Sequence, residues 1–364
     1  MTHTTKILIM AGGTGGHVFP ALAIAEQLRS QGIHVSWLGT RQGLEARLVP
    51  DAGFAIRFVR ISGLRGKGLL RQLVSPLLVL VAMLQSLWVI LQVRPHVVLG
   101  MGGFVSGPGG VAAWLLRRPL FIHEQNAIPG MTNRLLAHLA TGAMEAFPGS
   151  FSAMSAAIRC SVECTGNPVR RDIALLPPPS ERLRRQVGAL RILVLGGSQG
   201  AEILNEVVPK AIGTLVDSTS VIVRHQVGTQ HLMRTRVRYE GLDVAVDLVA
   251  FIDDMAEAYG WADLVVARAG AMTITELAAA GVASVLVPYP FAVDDHQTAN
   301  ARFLADAGAA VLVPQTELTG ANLGRLFTEF HVARSQLVAM AEAARNLSIP
   351  DATKRVVIRC LSSA

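Results

Sequence analysis

The chain has 364 residues, 51% of them hydrophobic and 16% charged, with a mean hydropathy of +0.42; it is too long for one ordinary core, which predicts two domains. A formal charge of +7 and a pI of about 9.9 suit anionic partners, whether nucleic acid, phosphorylated metabolites or an anionic membrane face. Three cysteines, Cys160, Cys164 and Cys360, exclude a disulfide framework and suggest no zinc site, and the opening MTHTTKILIM lacks the leader, apolar stretch and cleavage site of an export signal.

Residues 6–32, KILIMAGGTGGHVFPALAIAEQLRSQG, predict an apolar strand, a glycine turn and a helix that stops at Gly32, and IHVSWLGT predicts the next strand. The run LVSPLLVLVAMLQSLWVILQV (73–93) is long and apolar enough to be scored as a membrane span. Pro76, Gln85, Ser86 and Gln92 interrupt it, however, and a span would separate the first glycine loop from its partners. A crossover helix with an extra apolar face is the coherent reading. The segment RGKGLLRQ just before it sets Arg65, Lys67 and Arg71 beside Leu69, Leu70 and Leu73, as expected for peripheral docking on anionic lipid.

Two further strand-and-loop units follow, HVVLGMGGFVSGPGG (96–110) and FIHEQNAIPGMTNRLLA (121–137). GNPVRRDIALLPPPSERLRRQVGAL, with three consecutive prolines and clustered charge, reads as a linker. RILVLGGSQGAEILNEVVPKAI (191–212) then repeats the strand, glycine turn and helix of the N-terminus, and STSVIVRHQVG repeats the second strand. Two such openings half a chain apart predict two doubly wound α/β domains. A last helix in SIPDATKRVVIRCL has Asp351 as its expected N-cap.

Glycine loops before helices let backbone N–H groups approach an anion, so phosphate or diphosphate is the natural guest. GGTGGHV is not G-x-G-x-x-G, and Arg41 follows the second strand where a ribose-binding acid would stand, which disfavours NAD; no G-x-x-x-x-G-K-[ST] occurs either. RAGAMTITE (268–276) is sharper: Gly270 permits a tight turn, Thr273 and Thr275 are expected caps, and Glu276 is placed to accept from two ribose hydroxyls, or to serve only as a surface acid favoured by the helix dipole. PFAVDDHQTANA adds Asp295, His296, Gln297 and Asn300 beside a strand end, suited to a sugar or to a capped helix start.

Taken together, GGTGGHVFPALA, GGFVSGP, HEQNAIPGMTNR, TGNPVR, LGGSQGA, FIDDM, RAGAMTITE and DDHQTANA, in this order over essentially the whole chain, resemble the MurG family of bacterial peptidoglycan glycosyltransferases. The resemblance implies a GT-B fold, two Rossmann-like doubly wound parallel-sheet domains facing across a cleft. Residues 1–168 would bind acceptor and membrane, 169–347 would bind UDP-N-acetylglucosamine, and a helix at about 348–364 would pack back on the first domain. The implied enzyme is an inverting hexosyltransferase that moves N-acetylglucosamine from UDP to undecaprenyl-diphospho-N-acetylmuramoyl-pentapeptide. It would work peripherally at the cytoplasmic face of the inner membrane, with other wall-synthesis proteins as further partners, no nucleic acid and no cofactor.

Carried over by motif, Glu276 would hold the ribose, the backbone around Ile252 the uracil, and Ser198 and Arg170 the diphosphate. Ala271, Met272, Thr273, Ile274 and Thr275 would line the same site, and Gln297 would hold the sugar. Thr14, Gly15, Gly16 and Asn126 would reach the donor from the first domain. Gly13, Gly102, Gly103 and Ser106 would take the acceptor's diphosphate. Inverting transfer needs a base for the acceptor hydroxyl and charge stabilisation on departing UDP. No D-x-D occurs, so no metal is expected. His17 is the candidate base by position, with phosphate contact or helix capping as its other roles, and Glu124 is a weaker candidate. Against the transferase stand a UDP-sugar epimerase or hydrolase of similar architecture and a non-enzymatic nucleotide-binding module.

Overall fold

A computed structural model describes residues 5–61, 68–183, 188–197 and 200–363, with the side chains of 68–75 excepted. The chain divides into two compact units, residues 1–169 with 349–364, and residues 170–348.

In the first unit β1 (Lys6–Met10), α1 (Gly15–Ser30), β2 (His34–Gly39), α2 (Glu45–Asp51), β3 (Ala55–Phe58), α3 (Gly68–Val93), β4 (Val97–Gly100), α4 (Ser106–Leu115), β5 (Leu120–Glu124), α5 (Met131–Leu136), β6 (Gly142–Glu145) and β7 (Ser161–Cys164) follow in turn. The strands form one parallel sheet in the order β3-β2-β1-β4-β5-β6-β7. Because successive strand residues face opposite ways, Ile7 and Ile9 enter one core with α1, while Leu8 and Met10 enter another with Val89 and Ile90 of α3 and with α4. Burial on both faces explains why β1 reads as a continuous apolar run rather than an alternating one.

The second unit begins with α6 (Arg171–Ala174) and α7 (Pro179–Arg182), then runs β8 (Leu190–Leu195), α8 (Glu202–Ile212), β9 (Val221–Gln226), α9 (Leu232–Tyr239), β10 (Ala245–Val249), α10 (Met255–Trp261), β11 (Leu264–Ala267), α11 (Ala271–Ala280), β12 (Ala283–Leu286), α12 (His296–Ala305), β13 (Ala310–Leu312), α13 (Gly320–Val332) and α14 (Arg334–Asn346). Its parallel sheet is ordered β10-β9-β8-β11-β12-β13. Numbered within each unit, six strands of both sheets run 3-2-1-4-5-6, the doubly wound order, so each unit has its switch point between its first and fourth strands. The chain ends in α15 (Ala352–Leu361), which returns Val356, Val357 and Cys360 to the core beside α1.

Three local expectations are corrected. The proline-rich stretch is no loose linker: Pro179 starts α7, where a missing N–H costs nothing. From α7, Arg182 donates to the carbonyls of Tyr259, Ala280 and Gly281, which holds the stretch on the C-terminal end of α11. Asp351 occupies the N-cap position of α15, but its carboxylate binds Arg355 Nε at 2.9 Å instead of the helix N–H groups. Neither Thr273 nor Thr275 caps α11; Gly270 stands at its N-cap, and Thr275 Oγ1 donates back to the Ala271 carbonyl.

Candidate functional site

A cavity of about 600 Å³ opens at the switch point of the second unit. The loop after β8 supplies Gly196, Gly197 and Gly200, and the turn after β11 supplies Arg268, Gly270 and Thr273. Tyr289, Gln297 and Gln315 complete the wall with Glu202 and Glu206. Gly200 adopts φ +77°, and a Cβ there would lie 2.0 Å from the Val227 carbonyl oxygen, so the loop can pass this close to its neighbour only with glycine. Glu202 would oppose an anion in the cavity, but its carboxylate binds Arg238 at 2.7 Å and Arg234 at 3.3 Å, which holds its pKa below the usual carboxylate value. Arg268 is a cation in that wall. Its guanidinium donates to the carbonyls of Val287 and Pro288 and to Gln315 Oε1, and it lies 5.4 Å from the Tyr289 ring centre. Sequence reasoning quoted Arg268 inside RAGAMTITE without giving it a role.

Beside the cavity, α11 carries the proposed nucleoside clamp. Glu276, with a side chain 13% exposed, accepts from the Tyr259 hydroxyl at 3.1 Å and from Arg170 at 3.3 Å. Burial raises the Glu276 pKa, while Arg170 and the Tyr259 hydrogen bond oppose that rise. The buried Tyr259 hydroxyl is itself pushed well above its ordinary value and stays a donor. Two residues assigned by motif to different parts of the ligand, Arg170 and Glu276, are thus in contact with one another.

The other donor candidates differ. Thr273 and Gln297 line the cavity, and Gln297 also accepts from the Tyr289 N–H. Ala271 and Met272 lie on α11, but Ile274 is fully buried and serves the core. Ile252 donates its N–H to Gln226 Oε1 at 3.2 Å, so its backbone donor is already bound. Ser198 lies outside the described residues.

In the first unit the glycine loops also flank the switch point, yet several of their donors are engaged by the protein. Gly13 N–H donates to Glu45 Oε2 at 2.9 Å. Gly102 N–H donates to Ser106 Oγ, and that buried hydroxyl is shared with the carbonyls of Met10 and Gly102. Gly103, at φ +80°, packs on the Gly12 carbonyl. Gly13, Gly102 and Ser106, expected at the acceptor's diphosphate, are thus bound within the unit, and a diphosphate reaching them would have to displace these contacts. What remains is the N-terminus of α1, where Thr14 makes no side-chain cap and the first N–H groups, those of Gly15 and Gly16, have no intrahelical partner.

His17 stands on the first turn of α1, half-buried, with Nδ1 2.8 Å from Gln125 Oε1. Glu124 is 2% exposed, and its two oxygens accept from Asn126 N and Nδ2, Gly130 N and Asn133 Nδ2. That carboxylate organises the loop after β5. Asn126, expected with Thr14, Gly15 and Gly16 to reach the donor from this unit, is one of the residues it holds.

Of the expected membrane patch, Arg65 and Lys67 lie outside the described residues, as do the side chains of Leu69, Leu70, Arg71 and Leu73. Farther along α3 the outer face is apolar, in line with the extra apolar face expected of this helix: Leu77, Leu84, Trp88 and Leu91 are between 55% and 61% exposed. Pro76–Val93 is long and apolar enough, by length and composition, to cross a membrane. Its other face, however, is packed in the unit: Ala82, Ser86, Val89 and Ile90 are buried, and Gln85 accepts from the Arg60 N–H.

Both units match known families. Residues 7–145 match the glycosyltransferase family 28 N-terminal domain, and residues 191–356 match the family 28 C-terminal domain. A Nitrosococcus oceani protein named UDP-N-acetylglucosamine–N-acetylmuramyl-(pentapeptide) pyrophosphoryl-undecaprenol N-acetylglucosamine transferase is 53% identical over 359 residues, 99% of each chain. A crystal structure of Acinetobacter baumannii MurG is similar with a TM-score of 0.86 and 42% identity, over 98% of this chain and 99% of that one. The Neisseria meningitidis UDP-GlcNAc 2-epimerase shares the fold alone, at a TM-score of 0.69 and 14% identity over 98% of this chain and 100% of its own. With both domain models matched and a relative more than half identical along its length, the chain belongs to glycosyltransferase family 28 and, within it, to the MurG family, a family of GT-B fold.

Proposed function

We propose that this protein transfers N-acetylglucosamine from UDP-N-acetylglucosamine to undecaprenyl-diphospho-N-acetylmuramoyl-pentapeptide, the second unit holding the donor and the first the acceptor. The observation that carries the donor assignment is the cavity at the switch point between β8 and β11, lined by Gly196, Gly197, Arg268 and Glu202 at the start of α8, beside the Glu276–Arg170 pair. The epimerase reading has only a likeness of fold in its favour.

In the reaction the acceptor hydroxyl oxygen bonds to the anomeric carbon as the bond from that carbon to the UDP oxygen breaks. The hydroxyl proton passes to His17, and UDP leaves with the bonding electron pair. Arg268, Arg170 and the helix N-terminus of α8 oppose the charge that grows on the diphosphate. The N-terminus of α1 suits the acceptor's own diphosphate. Glu276→Ala is expected to weaken UDP binding by about 2 kcal/mol, roughly 30-fold, through loss of charge-assisted hydrogen bonds. Unchanged UDP affinity by calorimetry rejects the clamp.

A lipid-linked acceptor requires the first unit to reach the bilayer surface. The outer face of α3 supplies apolar area for this, and its buried face argues for lying on the membrane rather than spanning it. Replacing Leu84, Trp88 and Leu91 together by Ser is expected to abolish flotation with anionic vesicles while UDP affinity stays the same; flotation at the wild-type level rejects this docking face.

A further inference from the structure

The ring of His17 is held by a chain of hydrogen bonds that sequence reasoning did not anticipate. The chain runs from His17 Nδ1 to Gln125 Oε1 at 2.8 Å, from Gln125 Nε2 to His123 Nδ1 at 3.1 Å, and from His123 Nε2 to the Gly166 carbonyl oxygen at 2.9 Å. Gln125 and His123 are buried, at 1% and 0% exposure. Gly102 closes on the ring from another side, since a Cβ there would lie 2.8 Å from His17 Cε1 and Nδ1.

Only one arrangement of protons satisfies this chain. The Gly166 carbonyl can only accept, so His123 carries its hydrogen on Nε2. His123 is neutral: burial lowers its pKa to about 4, against smaller opposing effects from the Gly166 hydrogen bond and Glu124. Its Nδ1 therefore bears a lone pair and accepts from the Gln125 amide, which turns Oε1 toward His17. An amide oxygen accepts, so His17 must carry a hydrogen on Nδ1, which in the neutral ring leaves the lone pair on Nε2. A neutral imidazole in water prefers the opposite tautomer, with the hydrogen on Nε2, so without the chain His17 would favour the form whose outer nitrogen cannot take a proton.

We propose that Gln125 and His123 are positioning residues that fix His17 in the Nδ1–H tautomer and so present Nε2 as the basic nitrogen to the acceptor hydroxyl. This rests on the reading of His17 as the base. The arrangement parallels a catalytic triad in logic, with a neutral amide in place of a carboxylate: it sets the tautomer and ring orientation without adding a full charge. The anchor is the Gly166 carbonyl, in the TGNPVR motif, and Asn167 Nδ2 donates to the Gln125 carbonyl at 3.0 Å, which steadies the same residue through its backbone.

The test is a nitrogen-15 spectrum of the full chain labelled at histidine, with the His17 signals assigned by their loss in His17→Asn, combined with kinetics of Gln125→Leu. The expected spectrum shows Nδ1 of His17 pyrrole-like and Nε2 pyridine-like. Gln125→Leu should move the tautomer balance toward Nε2–H and lower kcat roughly 100-fold, as misplaced tautomers and lost supporting shells do, with UDP Kd and acceptor KM within twofold. A pyridine-like Nδ1 in the wild-type protein overturns the proposal, and that spectrum decides even where Gln125→Leu fails to fold. A folded Gln125→Leu protein with undiminished kcat overturns it too. His17→Asn separates the two readings: undiminished kcat there removes the base assignment, and the catalytic part of the proposal with it, whereas a wrong tautomer in the wild type removes the relay alone.

Discussion

The two glycine loops that follow β1 and β8 read almost alike in sequence, AGGTGGH and GGSQGAE, and stand at the same point of the same strand order. Their surroundings differ. Under the first loop lies the buried carboxylate of Glu45, which accepts from Gly13 N–H and from Thr40 N–H and Oγ1, and which occupies the space a Cβ on Gly12 or Gly43 would need. The second loop faces a cavity of about 600 Å³. A glycine-rich turn is thus a supply of backbone donors, and the rest of the chain decides whether protein or ligand receives them. In the first unit Gly12 and Gly103 serve close packing, and Gly13 gives its N–H to Glu45.

The sharpest way to break this contrast is to remove the carboxylate. Glu45→Ala leaves two backbone N–H groups and one hydroxyl without their acceptor and should destabilise the first unit by about 4 kcal/mol. Hydrogen exchange should rise across residues 6–61, while exchange in residues 190–212 and UDP affinity stay at wild-type levels. If exchange in 6–61 is unaltered, the first loop is not held by Glu45, and the two loops are more alike than their contacts indicate.

Acid offers a second, smaller contrast, because His123 is buried in the first unit and His225 in the second. Burial lowers His123 to about 4 and His225 to about 3 from an ordinary 6.5. Both unfolded histidines bind a proton more readily than the folded ones, so stability is fully present above pH 6.5 and falls as the pH drops below it. The loss per histidine should be roughly 3 kcal/mol at pH 4. Below pH 4 the His123 loss levels off, because the folded ring then takes its proton. The His225 loss continues to about pH 3; its Nδ1 meets only the Tyr239 hydroxyl, and its Nε2 has no partner among the described residues. The second unit should therefore be the more acid-labile in urea unfolding monitored unit by unit, and an unfolding midpoint level from pH 7 to pH 4 contradicts the account.

The strands and the two glycine loops were legible because apolar runs end in glycine at strand ends, while the return of the C-terminal helix to the first unit was implied only by the family resemblance. Short motifs reached some of the residues around the cavity of the second unit: Thr273 and Gln297 line it and Glu276 lies beside it on α11. The site was illegible where the partner is remote in sequence. Glu45 acts on Gly13 from 32 residues away and Gln125 on His17 from 108, and nothing in RQGLEA marks its glutamate as buried. HEQN did carry a signal at Gln125, a polar run directly after an apolar strand, but spacing alone could not tell which side chain turns inward. The extra apolar face of α3 was legible as such, but which of its residues stay uncovered was not, because they are the same types that fill a core and only packing shows which of them remain exposed.

The return of α15 to the first unit has a consequence for synthesis of the chain. Val356, Val357 and Cys360 are buried beside α1, whose own residues leave the ribosome more than 300 positions earlier. The second unit is contiguous, whereas the first must wait, with part of the apolar side of α1 uncovered, until the last helix emerges. Nascent chains stalled at residue 340 should accordingly bind hold-type chaperones through their first 60 residues and release them on completion, a dependence that a contiguous first unit would not have.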